Sequence, residues 1–233
     1  AGLVFASDSR THGSVDQINT YSKMHQFRID EERLLVLLSA GNLSVTQTVV
    51  HRLTRNLRSR KDSLFRVDTL FDAAEYLGHM SRDIQRYHSD QNDGASFDAR
   101  FILGGQIGGT EPDLLLIYPE GNCIRVQEEK PYLQIGETAY GKPVLNRVVR
   151  PDTSLDDAAR CAMVSLDSTI HSNLAVGLPM ELAIYKNDEF KLSHHATYDD
   201  HSPFYSSIRE SWGQTIARGI HDLPRFEWET PTS

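Results

Sequence analysis

Three residues near the start of the chain have the types and spacing for acid–base or nucleophile chemistry: Asp8, Lys23 and Gly41. Asp8 closes the apolar run Leu3-Val4-Phe5-Ala6-Ser7, Lys23 enters Met24-His25-Gln26-Phe27 fifteen residues later, and Gly41 ends Leu37-Leu38-Ser39-Ala40. Apolar runs with one polar group at the end are what strands of a buried sheet look like when they deliver those groups to a shared point. If the strands pair, Asp8 and Lys23 face the same end of the sheet. A lysine held beside a carboxylate keeps a positive charge that depresses the pKa of a neighbouring hydroxyl or amine, leaving a proton acceptor poised near neutrality. Gly41 would offer a backbone N–H at a helix N-terminus, where a developing oxyanion is stabilised. Taken singly, each feature has a plainer and commoner reading: an Asp–Lys pair is a structural ion pair, and a glycine at a strand end is a turn.

The elements that must position these residues follow from periodicity. Residues 2–7 read as a strand, 11–20 as a polar loop with His12, Ser14 and Asn19, and 22–29 and 32–39 as two strands joined at Asp30-Glu31-Glu32. From Asn42 the period becomes helical, with Leu43, Val50, Leu53 and Leu57 on one stripe and His51, Arg52, Arg55, Arg58, Arg60 and Lys61 on the other face. That basic face reads as solvated, or as a contact with an acidic neighbouring subunit, ahead of phosphate binding. A second helix is expected from Thr69 to Tyr87, opened near Asp68 and closed by the loop Ser89 to Gly94.

Strands are then expected near 97–106, 113–118, 122–127 and 131–135. The glycines of Gly104-Gly105-Gln106-Ile107-Gly108-Gly109 read as a wide hairpin or bulge, because no Lys-Ser/Thr follows to make a phosphate loop. Helices over 136–149 and 154–171, strands over 180–186 and 189–195, and a last helix over 203–219 complete the chain. The order predicts an α+β fold, a four-layer αββα sandwich of two largely antiparallel sheets covered by helices.

Composition narrows the function classes. The chain has 233 residues, 39% hydrophobic and 24% charged, with no apolar run long enough for a membrane span and no signal-peptide pattern at its start. The reading is cytoplasmic, with no membrane partner. A net charge of −8 disfavours nucleic acid. Cys123 and Cys161 lack metal or disulfide spacing. His194-His195 with Asp199-Asp200-His201 is the most metal-like cluster, but it lacks the spacing of a zinc site and reads as an exposed loop. No metal and no cofactor are expected. Asn42-Leu43-Ser44 matches a glycosylation sequon by chance.

Read jointly, Leu3 to Arg10, Lys23 to Phe27 and Ser39-Ala40-Gly41 before a long helix resemble the opening of proteasome β-subunits and bacterial HslV. Ile135-Gly136-Glu137-Thr138 is similar to the family's Gly-Ser-Gly turn, and Met180 to Tyr185 to its last core strand. Asp167-Ser168-Thr169-Ile170-His171-Ser172-Asn173, the turn Val176-Gly177-Leu178-Pro179 and the long C-terminal helix with its tail look like the bacterial proteasome-like Anbu family. The resemblance implies one proteasome-type domain over 1–222 and an extended tail over 223–233. It also implies an N-terminal-nucleophile hydrolase acting on peptide or other amide bonds: a threonine at the chain start attacks a carbonyl while its own α-amino group serves as base.

In that scheme Asp8 orients Lys23, Lys23 lowers the nucleophile's pKa, and the Gly41 N–H is the oxyanion donor. Arg10 supports the site, and Ser172 and Asn173 stand where the family keeps hydrogen-bonding groups around the threonine amine. Glu137 replaces the family serine, and Thr138 could supply a hydroxyl instead. The chain as read looks truncated: the nucleophile is expected roughly nine residues before Ala1, on a strand pairing with residues 2–8. The resemblance further implies a homo-oligomer, ring or helical. The alternative is a proteasome-fold assembly or partner-binding protein with little or no peptidase activity, and a non-peptidase amide hydrolase is a third reading.

Overall fold

The computed structural model describes residues 2–13, 17–59, 64–91 and 96–229. Ser14 of the expected loop, Arg60 and Lys61 of the basic helix, Asn92 to Gly94 of the second-helix exit and the tail after Glu229 lie outside them.

Strand β5 (Arg33–Gly41) sets the layering, because both of its faces are buried. Leu35 and Leu37 point into one apolar layer, whereas Leu34, Val36 and Leu38 point into another. Side chains alternate across a strand, so an unbroken run such as Leu-Leu-Val-Leu-Leu needs cover on both sides. β5 pairs with β4 (Met24–Asp30) and β6 (Ala99–Ile107), and the antiparallel sheet continues through β7 (Asp113–Ile117) to β8 (Cys123–Arg125). Its outer face is covered by α1 (Leu43–Ser59) and α2 (Leu70–Ser89), which bring Val45, Val49, Leu53, Ala74, Leu77 and Ile84 to the layer.

The inner face meets a second antiparallel sheet, ordered β1 (Gly2–Asp8), β9 (Met180–Lys186) and β10 (Leu192–Tyr198). Phe5 and Tyr185 fill the space between the sheets. A buried polar link crosses the same space: the Tyr185 hydroxyl donates to Gln106 Oε1, and Gln106 Nε2 donates to Asp188 Oδ1 at 2.7 Å. Val4 and Ala6, on the other face of β1, pack with Met180 and Leu182 against α4 (Leu155–Ser172) and α5 (Pro203–His221). Helices, sheet, sheet, helices: the four-layer αββα sandwich expected from the element order is the fold.

Several elements differ from expectation. Residues 10–13 and 17–20 are not loop but pair antiparallel as β2 (Arg10–Gly13) and β3 (Gln17–Thr20). The two strands are short and carry one apolar residue, Ile18, so no alternation announced the pairing. Residues 131–135 have no ladder; Leu133 and Ile135 pack against the inter-sheet layer, so their apolar pattern reflects burial alone. The expected helix over 136–149 shrinks to α3 (Lys142–Val148), because residues before Gly141 turn through Gly136 at φ +75°. β10 starts three residues late, after a turn with positive φ at Asp188 and Phe190. The second helix opens on a capping box between Thr69 and Asp72, not on Asp68.

Of the glycine run, Gly108 and Gly109 lie in the turn between the antiparallel β6 and β7, as expected, whereas Gly104 and Gly105 are not in a hairpin or bulge but inside β6, whose register with β5 and β7 is unbroken. A Cβ on Gly104 would stand 2.5 Å from both Phe5 and Leu114. The glycine is what lets the Phe5 ring approach the neighbouring sheet this closely. Gly104→Val is expected to destabilise the fold by about 1–3 kcal/mol, the range for overpacking a closed core. Urea unfolding, with unchanged far-ultraviolet circular dichroism before the transition, checks it.

Candidate active site

β1 carries Asp8 to its last position, where the side chain turns inward and is nine-tenths buried. A carboxylate so placed must be met by donors. Oδ1 accepts from Lys23 Nζ at 2.6 Å, and Oδ2 accepts from the backbone N–H groups of Arg10 and Gly177, each at 3.1 Å. Lys23 lies just ahead of β4, and its carbonyl accepts from Ser39 N at 3.0 Å. The β4–β5 pairing thereby sets Lys23 beside the last turn of β5, two residues from Gly41.

Gly41 has φ +108°, and a Cβ there would meet the Asp98 carbonyl oxygen at 2.3 Å, so no other residue fits without shifting the backbone. The N-cap of α1 is Asn42, whose Oδ1 accepts from Ser44 N and Val45 N at 3.1 and 3.3 Å. Gly41 therefore stands one position outside the helix, at its N-terminal end. The sequon asparagine is engaged in folding the helix start.

Asp8, Arg10, Lys23, Ser39 and Gly41 line one end of a cavity of about 650 Å³. The cavity runs along residues 2–8 of β1, which is an edge strand of its sheet, and its walls include Leu3, Ile102, Leu114, Leu133, Ile135 and Leu166. Three buried polar atoms of its lining residues, Ser7 Oγ, Arg10 Nε and Gln134 Oε1, have no hydrogen-bond partner among the described residues. The arrangement offers an ammonium group and a backbone N–H region at the polar end of an otherwise apolar trough. Such a site can hold a neutral nucleophile beside a fixed positive charge and stabilise an oxyanion.

The remaining expected residues divide. Arg10 Nη1 donates to the Leu174 carbonyl at 2.9 Å, and its guanidinium lies over Gly177, where a Cβ would come within 2.2 Å of it. Arg10 thus braces the loop that supplies the Gly177 N–H to Asp8. Glu137 lines the cavity but is occupied: Oε2 accepts from Asn173 Nδ2 and Oε1 from Ala139 N, both at 2.8 Å. Thr138, Ser172 and Asn173 are not among the residues lining the cavity; Ser172 is exposed, and Asn173 caps the end of α4 while holding Glu137.

Sequence reasoning missed Gly177 as a donor and Ser9 as a brace, the latter with its hydroxyl donating to the Pro179 carbonyl at 2.6 Å. The signal was the Val176-Gly177-Leu178-Pro179 turn, which has no local property that points to residue 8. His195 reaches Glu181 at 3.3 Å and His201 reaches Asp200 at 3.6 Å. Among the described residues no three His, Cys, Asp or Glu side chains converge as metal ligands would.

Removing the Asp8 carboxylate leaves an ammonium and two amide donors without their acceptor. Asp8→Ala is expected to cost on the order of 3 kcal/mol by urea unfolding, and Asp8→Asn, which keeps one acceptor, clearly less. Two residues beyond Lys23, burial pushes His25 below its usual 6.5, with Glu181 raising it in part. A lowered folded value means the fold prefers neutral His25, so this stability is complete above about 6.5 and is lost as pH falls toward the folded value. Melting temperature should drop on going from pH 7 to pH 5, and His25→Gln should flatten that slope.

Comparison with known proteins places the fold. Residues 1–185 match the proteasome-subunit family. Among solved structures, Anbu (ancestral β-subunit) from Yersinia bercovieri is 42% identical, with 97% of this chain and 95% of that chain covered and a TM-score of 0.91. A helical assembly of the Anbu complex from Pseudomonas aeruginosa contains a chain 38% identical, with 99% and 96% covered and a TM-score of 0.93. Anbu from Hyphomicrobium sp. strain MC1 is 38% identical over 97% and 95%, with a TM-score of 0.87. Among curated proteins none matches. A strand ending in Asp8, a lysine locked to it and a glycine turn before α1 are thus set in a fold shared over nearly its whole length with these proteins: the chain belongs to the proteasome-subunit family, among the bacterial Anbu proteins.

Proposed function

We propose that this protein is a proteasome-type threonine hydrolase of peptide or other amide bonds, with its nucleophile on a threonine upstream of Ala1. The observation that carries the reading is the Lys23–Asp8 pair at the polar end of a cavity that follows the edge of β1. An edge strand has free ladder positions, so an added N-terminal strand can pair there and bring its first residue to Lys23. The threonine hydroxyl adds to the carbonyl carbon as its proton passes to the α-amino group, and the Gly41 N–H meets the oxygen that becomes negative. Collapse breaks the C–N bond, the proton leaves with the amine, and water then cleaves the ester. Lys23 favours the deprotonated states of both hydroxyl and amine, while Asp8 holds Lys23 in place. Arg10 acts further out, by seating the 174–177 loop. Thr138, Ser172 and Asn173 stand outside the cavity lining, so support around the amine falls to Glu137 and its Asn173 brace.

We extend to this chain the helical assembly of the Pseudomonas aeruginosa relative, and read it as a cytoplasmic homo-oligomer. Among the described residues no helix is long and apolar enough to cross a membrane. One observation favours the second reading, an assembly with little or no peptidase activity: Glu137 takes the place of the family serine and brings a carboxylate where a hydroxyl would donate.

The natural full-length protein, matured to an N-terminal threonine, is expected to form a covalent adduct with a threonine-directed peptide electrophile, read by intact mass. Lys23→Ala should slow adduct formation by about 100-fold or more while leaving assembly unchanged. An assembled wild type that forms no adduct and turns over no peptide or acyl-amide in a broad panel would establish the second reading in place of the first.

A further inference from the structure

A carboxylate lines the cavity with no cation to meet it. Glu137 follows Gly136, and a Cβ on Gly136 would lie 3.5 Å from the Ala40 side chain, so this turn packs on the one that presents Gly41. The Glu137 oxygens accept from Asn173 Nδ2 and Ala139 N, both neutral groups, and among the described residues no cation comes within ion-pair distance. Asn173 opens a tight turn in which Val176 N donates to Asn173 O at 3.1 Å, and the next residue, Gly177, donates its N–H to Asp8. The ends of such a turn are less than about 7 Å apart. Glu137 is thereby held on the order of 10 Å from the Asp8–Lys23 pair, at the same end of the cavity.

The other titratable groups of the lining are committed or neutral. Asp8 is closed by Lys23 and two amides. Arg10 Nη1 donates to the Leu174 carbonyl, and Arg150 Nη1 to those of Asn146 and Val149. Burial raises the phenols of Tyr21 and Tyr132 above their usual 10.0, so both stay uncharged. On the flanking chain Tyr140, Lys142 and His171 are exposed, where water and salt screen them. The polar end therefore offers a reacting group the Lys23 ammonium and the Glu137 carboxylate, one charge of each sign. Amide cleavage by an N-terminal threonine creates one of each. As the hydroxyl oxygen bonds to the carbonyl carbon and its proton passes to the α-amino group, a neutral pair becomes an oxyanion and an ammonium. Lys23 and the Gly41 N–H favour the oxyanion, but Lys23 opposes the ammonium. A carboxylate cannot donate a hydrogen bond as a serine would, but it can accept one from an ammonium.

We infer that Glu137 is the counter-charge to the α-ammonium formed in the reaction, offsetting Lys23 and setting the pH range in which the enzyme works, with Asn173 as its positioning residue. This role rests on the threonine nucleophile proposed above. A unit charge on the order of 10 Å away, at an effective dielectric of about 20, moves a pKa by about one unit. Lys23 lowers the value of the amine and Glu137 raises it. The base is the free amine, present above that value, so Glu137 moves the acid limb of the rate to higher pH and makes the base stronger. The same carboxylate that is out of place as a hydrogen-bond donor is then in place as a charge.

The rate of adduct formation with the peptide electrophile, followed by intact mass across pH on the full-length protein matured to its N-terminal threonine, tests this role. E137Q should move the acid limb down by about one pH unit and lower the alkaline plateau roughly 3- to 10-fold, because the amine becomes a weaker base. E137Q/N173D keeps an amide-to-carboxylate hydrogen bond between the two positions with the charge on the other partner, and should bring the limb back toward the wild type. Circular dichroism melts establish that each variant is folded, and E137S, which also removes the charge, carries the same expectation should E137Q fail to fold. In a wild type that reacts, an E137Q rate lowered in equal proportion at every pH would overturn this role, reduce Glu137 to a brace for the 173–177 loop, and leave the hydrolase reading standing. So would an unmoved limb with weaker binding of cationic electrophiles alone, which would assign the carboxylate to the substrate. A limb that stays at the E137Q position in E137Q/N173D would also overturn it. A wild type that forms no adduct at any pH would overturn the hydrolase reading and this role together.

Discussion

One buried carboxylate sets the terms for the rest of the site. Asp8 is taken out of water at the end of β1, and a charge so placed persists only when donors surround it. They come from three separate parts of the chain: Lys23 before β4, the Arg10 amide at the start of β2, and the Gly177 amide in the loop between α4 and β9. The two sheets and the α4 layer are therefore joined at one point by a single side chain. Because Lys23 is tied to Asp8 at 2.6 Å, its ammonium cannot wander toward solvent, and the positive charge is fixed at the polar end of the cavity. Arg10 and Ser9 hold the 174–179 loop, so their effect on chemistry passes through Asp8.

The layering makes this possible. β5 is apolar on both faces, which forces helices on one side and a second sheet on the other. Among the described residues the second sheet has three strands with β1 at its edge, and the cavity follows residues 2–8 along that edge. Its apolar wall comes from residues 131–135, which run beside the trough without joining either sheet, and Leu133 and Ile135 supply it.

Much of the frame was legible in the sequence, for a physical reason. β1, β4, β9, α1, α2 and α4 are each buried on a face with period 2 or 3.6, β5 is buried on both faces, and that burial writes itself into the residue pattern. Where an element is short and mostly polar the pattern is silent. β2 and β3 are four residues each and carry one apolar side chain, Ile18, between them, and α3 is short and begins among Gly141 and Pro143. Where burial occurs without pairing, as at 131–135, the pattern misleads. Gly104 and Gly105 misled too, since a glycine that admits a neighbour's ring looks in sequence like one that makes a turn. In the site, Asp8 and Lys23 could be placed together because adjacent strands present them at the same end. The Gly177 donor is 169 residues from Asp8, and the Glu137–Asn173 pair joins a turn to a helix end. Such contacts exist only after the layers have assembled.

The central claim is that the Lys23 charge serves a nucleophile carried on a strand added to β1. It is tested most directly by a structure of the natural full-length protein bound to a peptide electrophile. The account predicts a covalent bond to an N-terminal threonine on a strand paired with residues 2–8, its oxygen within hydrogen-bond reach of Lys23 Nζ and the former carbonyl oxygen facing the Gly41 amide. An N-terminal strand lying elsewhere, or an electrophile bound away from Lys23, would contradict it.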